Sequence, residues 1–422
     1  MSNAPPIRPL DGLRILDFTR VLSGPLATAL LADLGAEVIK VEPPQGDDYR
    51  AIGPMRNGES ALFTVMNRNK KSLVLDLKLP ASIALIHDMA AQVDVVVENF
   101  RPGVADKLGI GSQVLRARNP KLVYVSVSGF GQTGPMASKP AYDVIVQAMS
   151  GIMEATGDPN GPPTLVGEAI SDVVAGLFAS WATLAALHQT NRTGEGQHVD
   201  VAMFDTTLSF LATSVSRYLF TGKPAKRVGN RHPLSAPFGV YKAQDGHFAL
   251  AVLNHKLFAA VTHAMGRDDL GQDVTLATDE QRSDREPELR AAIEAWAAHH
   301  TVDAVVQQIA AAGVPVAPIW NIEQALTSPQ AVARGLLQPV EDARLPDLHL
   351  LTQPVKFGGS APNRATRAPA LGEHNEDILS ILLGCGLDKL AELRLAGVFG
   401  PAATPTSIQP QTQTQTLAKD QP

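Results

Sequence analysis

A chain of 422 residues exceeds what one small core needs and fits two domains. Its 36 Lys and Arg against 42 Asp and Glu give a formal charge of −6 without a long basic run, which argues against nucleic-acid and anionic-membrane partners. A single cysteine, Cys385, excludes an intrachain disulfide and a thiolate metal cluster.

The opening MSNAPPIRPL lacks the apolar core of a secretion signal, and no apolar run reaches bilayer-spanning length. A reducing cytoplasm is therefore the expected compartment. LRILDF (13–18) reads as a strand and PLATALLADLG (25–35) as a helix, with Pro25 near its start and Gly35 as a C-terminal cap. Further strands follow at EVIKVE (37–42), SLVLDL (72–77), VDVVVENF (93–100) and KLVYVSVS (121–128), with a helix at 81–92. Strands alternating with helices imply parallel pairing, since each crossover covers a sheet face. The fold class expected is α/β: a Rossmann-like parallel-sheet large domain plus a smaller α/β domain.

Residues 172–189 form a nearly all-apolar helix candidate, expected to be buried. A loop (191–197), a strand (198–203) and a helix (206–220) come next. The basic, Gly/Pro-containing stretch 221–233 marks a change of texture. Behind it lie a hairpin around Asp245-Gly246 and the helices of 256–312. The expected organisation is a large domain over 1–225, a small domain over 226–330, and a return segment over 331–400 packing on the large domain. The polar, Pro/Gln/Thr-rich tail 401–422 is expected to be disordered.

Gly129-Phe130-Gly131-Gln132-Thr133-Gly134 matches the dinucleotide pattern G-x-G-x-x-G and follows a strand. That turn must run straight into a helix, but Pro135 follows and the next helix candidate waits until about Ala141. The match also falls on a late strand rather than the first βα turn. A Gly-rich bend is favoured over an NAD site. The 11 histidines include no H-E-x-x-H, so no metal ligand set is assigned. No G-x-S-x-G elbow offers a serine nucleophile.

Eight phrases occur in order: 16–50, NRNKKSLVLDLK (67–78), VENFRPGVADKLGI (97–110), SVSGFGQTGP (126–135), AYDVIVQAMSG (141–151), GEAISDVVAGLFA (167–179), RTGEGQHVDVAMFD (192–205) and PALGEHNEDIL (369–379). Together they resemble the class III CoA-transferases (CaiB/BaiF type). That family spans formyl-CoA, carnitine and succinyl-CoA-dependent transferases and α-methylacyl-CoA racemase. The resemblance covers about residues 10–400. It implies two interlocked rings forming a homodimer, acyl-CoA and carboxylic acid as substrates, no permanently bound cofactor and no metal.

The same resemblance makes Asp172 the covalent nucleophile. Read from the residues alone, Asp172 is an N-cap before an apolar helix, and the two readings are compatible because a helix N-terminus favours a carboxylate. It further implies CoA contacts at Leu22, Ser23, Leu75, Lys78, Asn99, Phe100, Arg101 and Lys107, with Tyr142 and Asp143 lining the thioester site. Arg101 and Lys107 suit phosphates as charge-assisted donors; the alternative is solvated surface charge. Pro43 stands where some relatives carry a phosphate-binding Arg.

The racemase branch needs two bases, one a His in the phrase that reads Ala141-Tyr142-Asp143 and the other an acid where Asn254 stands. Racemisation and an NAD-dependent dehydrogenase remain as alternatives to transfer. Leu22 replaces the substrate-orienting Gln of formyl-CoA transferases, which disfavours formate and oxalate. The basic connection carries Arg227, Arg231 and His232, and Arg can clasp a second carboxylate. A similar phrase leads into the small domain in relatives that use succinyl-CoA, so the resemblance implies succinyl-CoA as donor and a C4–C5 dicarboxylate as acceptor, unless Arg227 and Arg231 are linker surface charges.

Overall fold

In the computed structural model, which describes residues 7–361 and 365–400, six β-branched runs pair into one wholly parallel sheet. The strands are β1 (Arg14–Asp17), β2 (Glu37–Glu42), β3 (Lys70–Val74), β4 (Val95–Glu98), β5 (Val123–Ser128) and β6 (His198–Ala202), in spatial order β3-β2-β1-β4-β5-β6. The chain therefore runs outward from β1 to one edge, returns to β4, and runs to the other edge. Between β1 and β4 the strand order reverses, and a crevice opens there at the carboxyl ends of the strands.

Period-two alternation decides which helices cover which face. Leu16, Ile39, Leu73, Val96 and Tyr124 point to one side, against Leu85, Ile86 and Met89 of α2 (Pro80–Ala90). Ile15, Val38, Val95, Val97, Val125 and Val127 point to the other, against Leu31 of α1 (Ser23–Asp33) and Ala175, Ala179 and Ala186 of α4 (Ile170–Thr193). A helix α3 (Asp143–Ser150) precedes α4. The expected α/β large domain is the architecture observed.

Several boundaries differ from the sequence reading. The strand expected at 72–77 ends at Val74 because Asp76 starts a turn, its carboxylate accepting the Lys78 N–H and its carbonyl the Leu79 N–H. The helix expected at 206–220 is two, α5 (Met203–Phe210) and α6 (Ala212–Thr221), broken at Leu211. The apolar helix α4 is 24 residues and, contrary to expectation, only partly buried: Leu177 and Trp181 face outward. It is long and apolar enough to cross a membrane by length and composition, yet it packs on α1, α5 and the sheet, the surroundings of a core helix.

Past the basic connection, β7 (Phe238–Lys242) and β8 (His247–Ala251) form the hairpin around Asp245-Gly246, and β9 (Val316–Pro318) adds antiparallel to β8. Phe248 and Leu250 pack with Phe258, Val261, Leu289, Ile293, Val305 and Ile309 in a separate core. Residues 374–400 return to the large sheet. Ile378 and Leu379 of α7 (Asn375–Leu383) and Leu390 and Leu393 of α8 (Leu387–Leu395) join the α2 side. His374 and Asn375 also bond the backbone of edge strand β3, covering its free polar groups. The tail at 401–422, expected to be disordered, lies outside the described residues.

Candidate active site

The β1–β4 crevice opens into a cleft of about 420 Å³ lined by Arg20, Leu22, Ser23, Asn99, Phe100, Arg101, Lys139, Tyr142 and Asp172, among others. Two loops leaving adjacent strands are tied together at its floor. The Asn99 side chain accepts the Arg20 N–H at 2.8 Å and donates to the Arg20 carbonyl at 2.7 Å. Beside it, the Glu98 carboxylate accepts the Phe100 N–H at 2.7 Å, with burial raising its pKa to about 7.

Asp172 lies in the first turn of α4 rather than at its N-cap, which is Ala169. This corrects the sequence reading and leaves the first turn's N–H groups for another acceptor. Asp143 takes that place. Its Oδ1 accepts from Ser171 N at 2.7 Å and Asp172 N at 3.4 Å, while Oδ2 accepts from Gln147 Nε2 at 2.7 Å. Gln147, fully buried, is fixed in turn by the Glu168 carbonyl and the Val166 N–H. Asp143 thus holds the start of α4 from beneath and does not line the cleft.

Burial raises the Asp172 pKa to about 6, the Asp143 charge adds to the rise, and the Ser23 side chain pulls it back. Ser23 reaches Asp172 because α4 crosses tightly over the start of α1. A Cβ on Gly176 would come within 2.8 Å of the Ser23 carbonyl oxygen. Nearby, burial raises the Tyr49 phenol pKa, and the charges of Asp172, Asp47 and Asp143 add. An ionisable carboxylate at one end and Arg20, Arg101 and Lys139 along the walls suit an anionic ligand whose reactive end meets the acid.

Of the residues singled out by the sequence, the cleft gathers Leu22, Ser23, Asn99, Phe100, Arg101, Tyr142 and Asp172. Leu75 is fully buried in the α2-side core, its N–H donated to the Glu42 carbonyl, and it does not line the cleft. Lys78 and Lys107 are exposed and outside the cleft lining. Arg231 and His232 also lie outside it: Arg231 bridges to Gly239 through the backbone and His232 stacks on Phe238 at 4.8 Å. Arg227 is committed to Glu154 at 2.9 Å. Arg20 and Lys139 were not anticipated, although Arg20 stands just after β1, where a parallel sheet of this order binds ligands.

The Gly129–Gly134 run is no dinucleotide turn: it follows β5, and no helix begins before Asp143. Gly129 is required by packing instead. A Cβ there would lie 2.3 Å from the Ala141 Cβ, and that approach brings the 137–142 loop back over the cleft. Asn254 caps the helix of His255–Ala264 by accepting the Leu257 N–H at 3.0 Å. Among the described residues, no group of three or more His, Cys, Asp or Glu is arranged to hold a metal ion.

A family model described as CoA-transferase family III matches residues 10–375. The acetyl-CoA:oxalate CoA-transferase of Acetobacter aceti is 44% identical over 88% of this chain and 95% of its own length. The succinyl-CoA–D-citramalate CoA-transferase of Chloroflexus aurantiacus is 38% identical over 94% and 100%, and the succinate–glutarate CoA-transferase of Agrobacterium fabrum 38% over 90% and 97%. Among solved structures, a CaiB/BaiF family protein from Brucella suis superposes with a TM-score of 0.79 at 36% identity, covering 89% of this chain and 100% of that one.

Proposed function

Because the chain belongs to CoA-transferase family III and is an enzyme that transfers CoA, we propose that Asp172 carries CoA between a donor thioester and a small dicarboxylic acid. The observation that carries this reading is the Asp172 carboxylate, part-buried at the end of a cation-lined cleft and poised near pH 6.

A carboxylate oxygen of Asp172 attacks the donor thioester carbonyl, the C–S bond breaks, and CoA leaves as thiolate from a mixed anhydride. The thiolate attacks the aspartyl carbonyl, expelling the donor acid as its carboxylate and leaving an aspartyl-CoA thioester. The acceptor carboxylate then attacks that carbonyl, displacing CoA thiolate and forming a second anhydride. Finally the thiolate takes the acceptor acyl group, and Asp172 is released as carboxylate. Phosphate groups of CoA find Arg20, Arg101 and Lys139 along the walls.

Oxalate, citramalate and glutarate, named for three relatives, all carry two carboxylates. This supports a dicarboxylate acceptor, with succinyl-CoA as donor and C4–C5 acids first among acceptors. The Acetobacter relative returns oxalate to the panel despite Leu22. A homodimer working in the cytoplasm completes the reading.

The test is a screen of succinyl-CoA and acetyl-CoA against oxalate, succinate, glutarate, citramalate and their monocarboxylate analogues, together with Asp172→Ala. Asp172→Ala is expected to lose at least about 10³-fold in kcat while binding CoA normally. Donor thioester followed by hydroxylamine is expected to label Asp172 in the wild type. An active Asp172→Ala variant would end the nucleophile assignment, and a preference for monocarboxylates would end the acceptor assignment.

A further inference from the structure

The turn from β1 into α1 carries Leu22 and Ser23 into the cleft, and it is strained. Val21 has φ 69°, a left-handed conformation that a β-branched side chain rarely adopts. The turn is also closed on itself, since a Cβ on Gly24 would lie 2.4 Å from Thr19 Cγ2. Strain of this kind persists only where surrounding groups over-determine it.

Buried charged groups around the turn do so. Lys40, fully buried on β2, donates to the Thr19 carbonyl at 2.8 Å and pairs with Asp47 at 2.7 Å. Asp47, 2% exposed, accepts the Val21 N–H at 3.3 Å and the Tyr49 N–H at 2.9 Å through Oδ1. One carboxylate therefore holds both the turn bearing Ser23 and the start of the short 3-10 helix Asp48–Ala51, which it caps. A second buried pair, Asp17 with Lys70 at 2.9 Å, ties the Thr19 N–H at the turn's other end. A buried ion pair is seldom worth more to stability than an apolar pair of the same shape. Its use here lies in where its acceptor sits.

We propose that Asp47, oriented by its ion pair with Lys40, is a positioning residue that locks the strained Val21 turn and so sets Ser23 against the reacting carboxylate. The inference rests on the reading of Asp172 as nucleophile. Arg20 has its own tether, the Asn99 side chain, which bonds both its N–H and its carbonyl.

Two double variants isolate the effect. Lys40→Met/Asp47→Asn removes both charges but keeps an oxygen for the Val21 and Tyr49 N–H groups; Lys40→Met/Asp47→Ala removes that oxygen as well. The alanine pair is expected to show a kcat about 10- to 100-fold below the asparagine pair. Its KM for acyl-CoA should stay within about threefold, and its kcat/KM rising limb should sit at higher pH as Ser23 leaves Asp172. Hydrogen exchange of residues 19–24 should be faster in the alanine pair while other segments match. Equal kcat in the two pairs, a loss confined to KM, or an alanine pair that fails to fold where the asparagine pair folds would each overturn the proposal. Failure of the Asp172 reading is distinguishable: the wild type would then resist hydroxylamine labelling, whereas the exchange contrast still reports whether Asp47 holds the turn.

Discussion

Asp172 is kept at a cost to the fold, because burial and the Asp143 charge destabilise its ionised form and raise its pKa from 3.8 to about 6. The folded chain binds this proton more tightly than the unfolded chain, so between pH 3.8 and 6 stability falls as pH rises. Above pH 6 the penalty is complete, on the order of 2 kcal/mol after the hydration of the open cleft is allowed for. Asp172→Asn is therefore expected to raise the thermal midpoint at pH 7.5 by a few degrees, with the gain vanishing below about pH 4. Calorimetry of the two proteins across that window checks this; an asparagine variant less stable than wild type at pH 7.5 would refute it. The same titration gives a rising limb near pH 6 in wild-type kcat/KM, since only the carboxylate attacks. A limb at the ordinary carboxylate value would show that the cleft does not perturb the acid.

Among the elements, the contact of α4 with the N-terminus of α1 decides the site, and Gly176 permits it. Gly176→Ala gains up to about 1 kcal/mol of helix propensity. The added methyl, however, meets a backbone oxygen, Ser23 O, at 2.8 Å, which no rotamer change relieves. Overpacking of this kind costs about 1–3 kcal/mol, so the variant is expected to melt lower than wild type and to transfer CoA more slowly as Ser23 and Asp172 part. A higher midpoint with unchanged kcat would mean that the helices part without consequence. None of this was legible in the chain, where Gly176 is one more small residue in an apolar run. The sheet was legible, because β-branched alternation marks Ile15/Leu16, Val38/Ile39 and Val95/Val96 as two-sided strands. The phrase singled out Asp172, which lines the cleft, but not what holds the start of its helix: Asp143 reaches it from 28 residues earlier in sequence. Arg20 and Lys139 enter the site only through topology, by following β1 and by the return of the loop that Gly129 admits. Lys78, Lys107 and Arg231 had the right charge for phosphate or carboxylate, but charge in sequence does not say which way a loop faces.

For the molecule as a whole, the unexplained feature is apolar surface. Leu177 and Trp181 stand exposed on α4, at 50% and 64%, Phe210 on α5 at 53%, and Leu219 and Phe220 on α6 at 73% and 91%. Single exposed apolar residues are ordinary, but several large ones on three successive helices exceed what a monomer usually leaves in water. Burying a Phe or Leu side chain gains about 1.5–3 kcal/mol, so a second copy seated on these helices draws on a large driving force. The proposed homodimer would bury this surface. The chain is expected to sediment at twice its own mass at micromolar concentration. Trp181→Asp/Phe220→Asp, which places two charges where an apolar partner must dock, is expected to shift it toward the chain mass. The far-ultraviolet circular dichroism of the variant should remain that of wild type, because both side chains already face solvent within one chain. A wild type that sediments at the chain mass, or a double variant that keeps the dimer, would place the interface elsewhere and leave these helices to another partner.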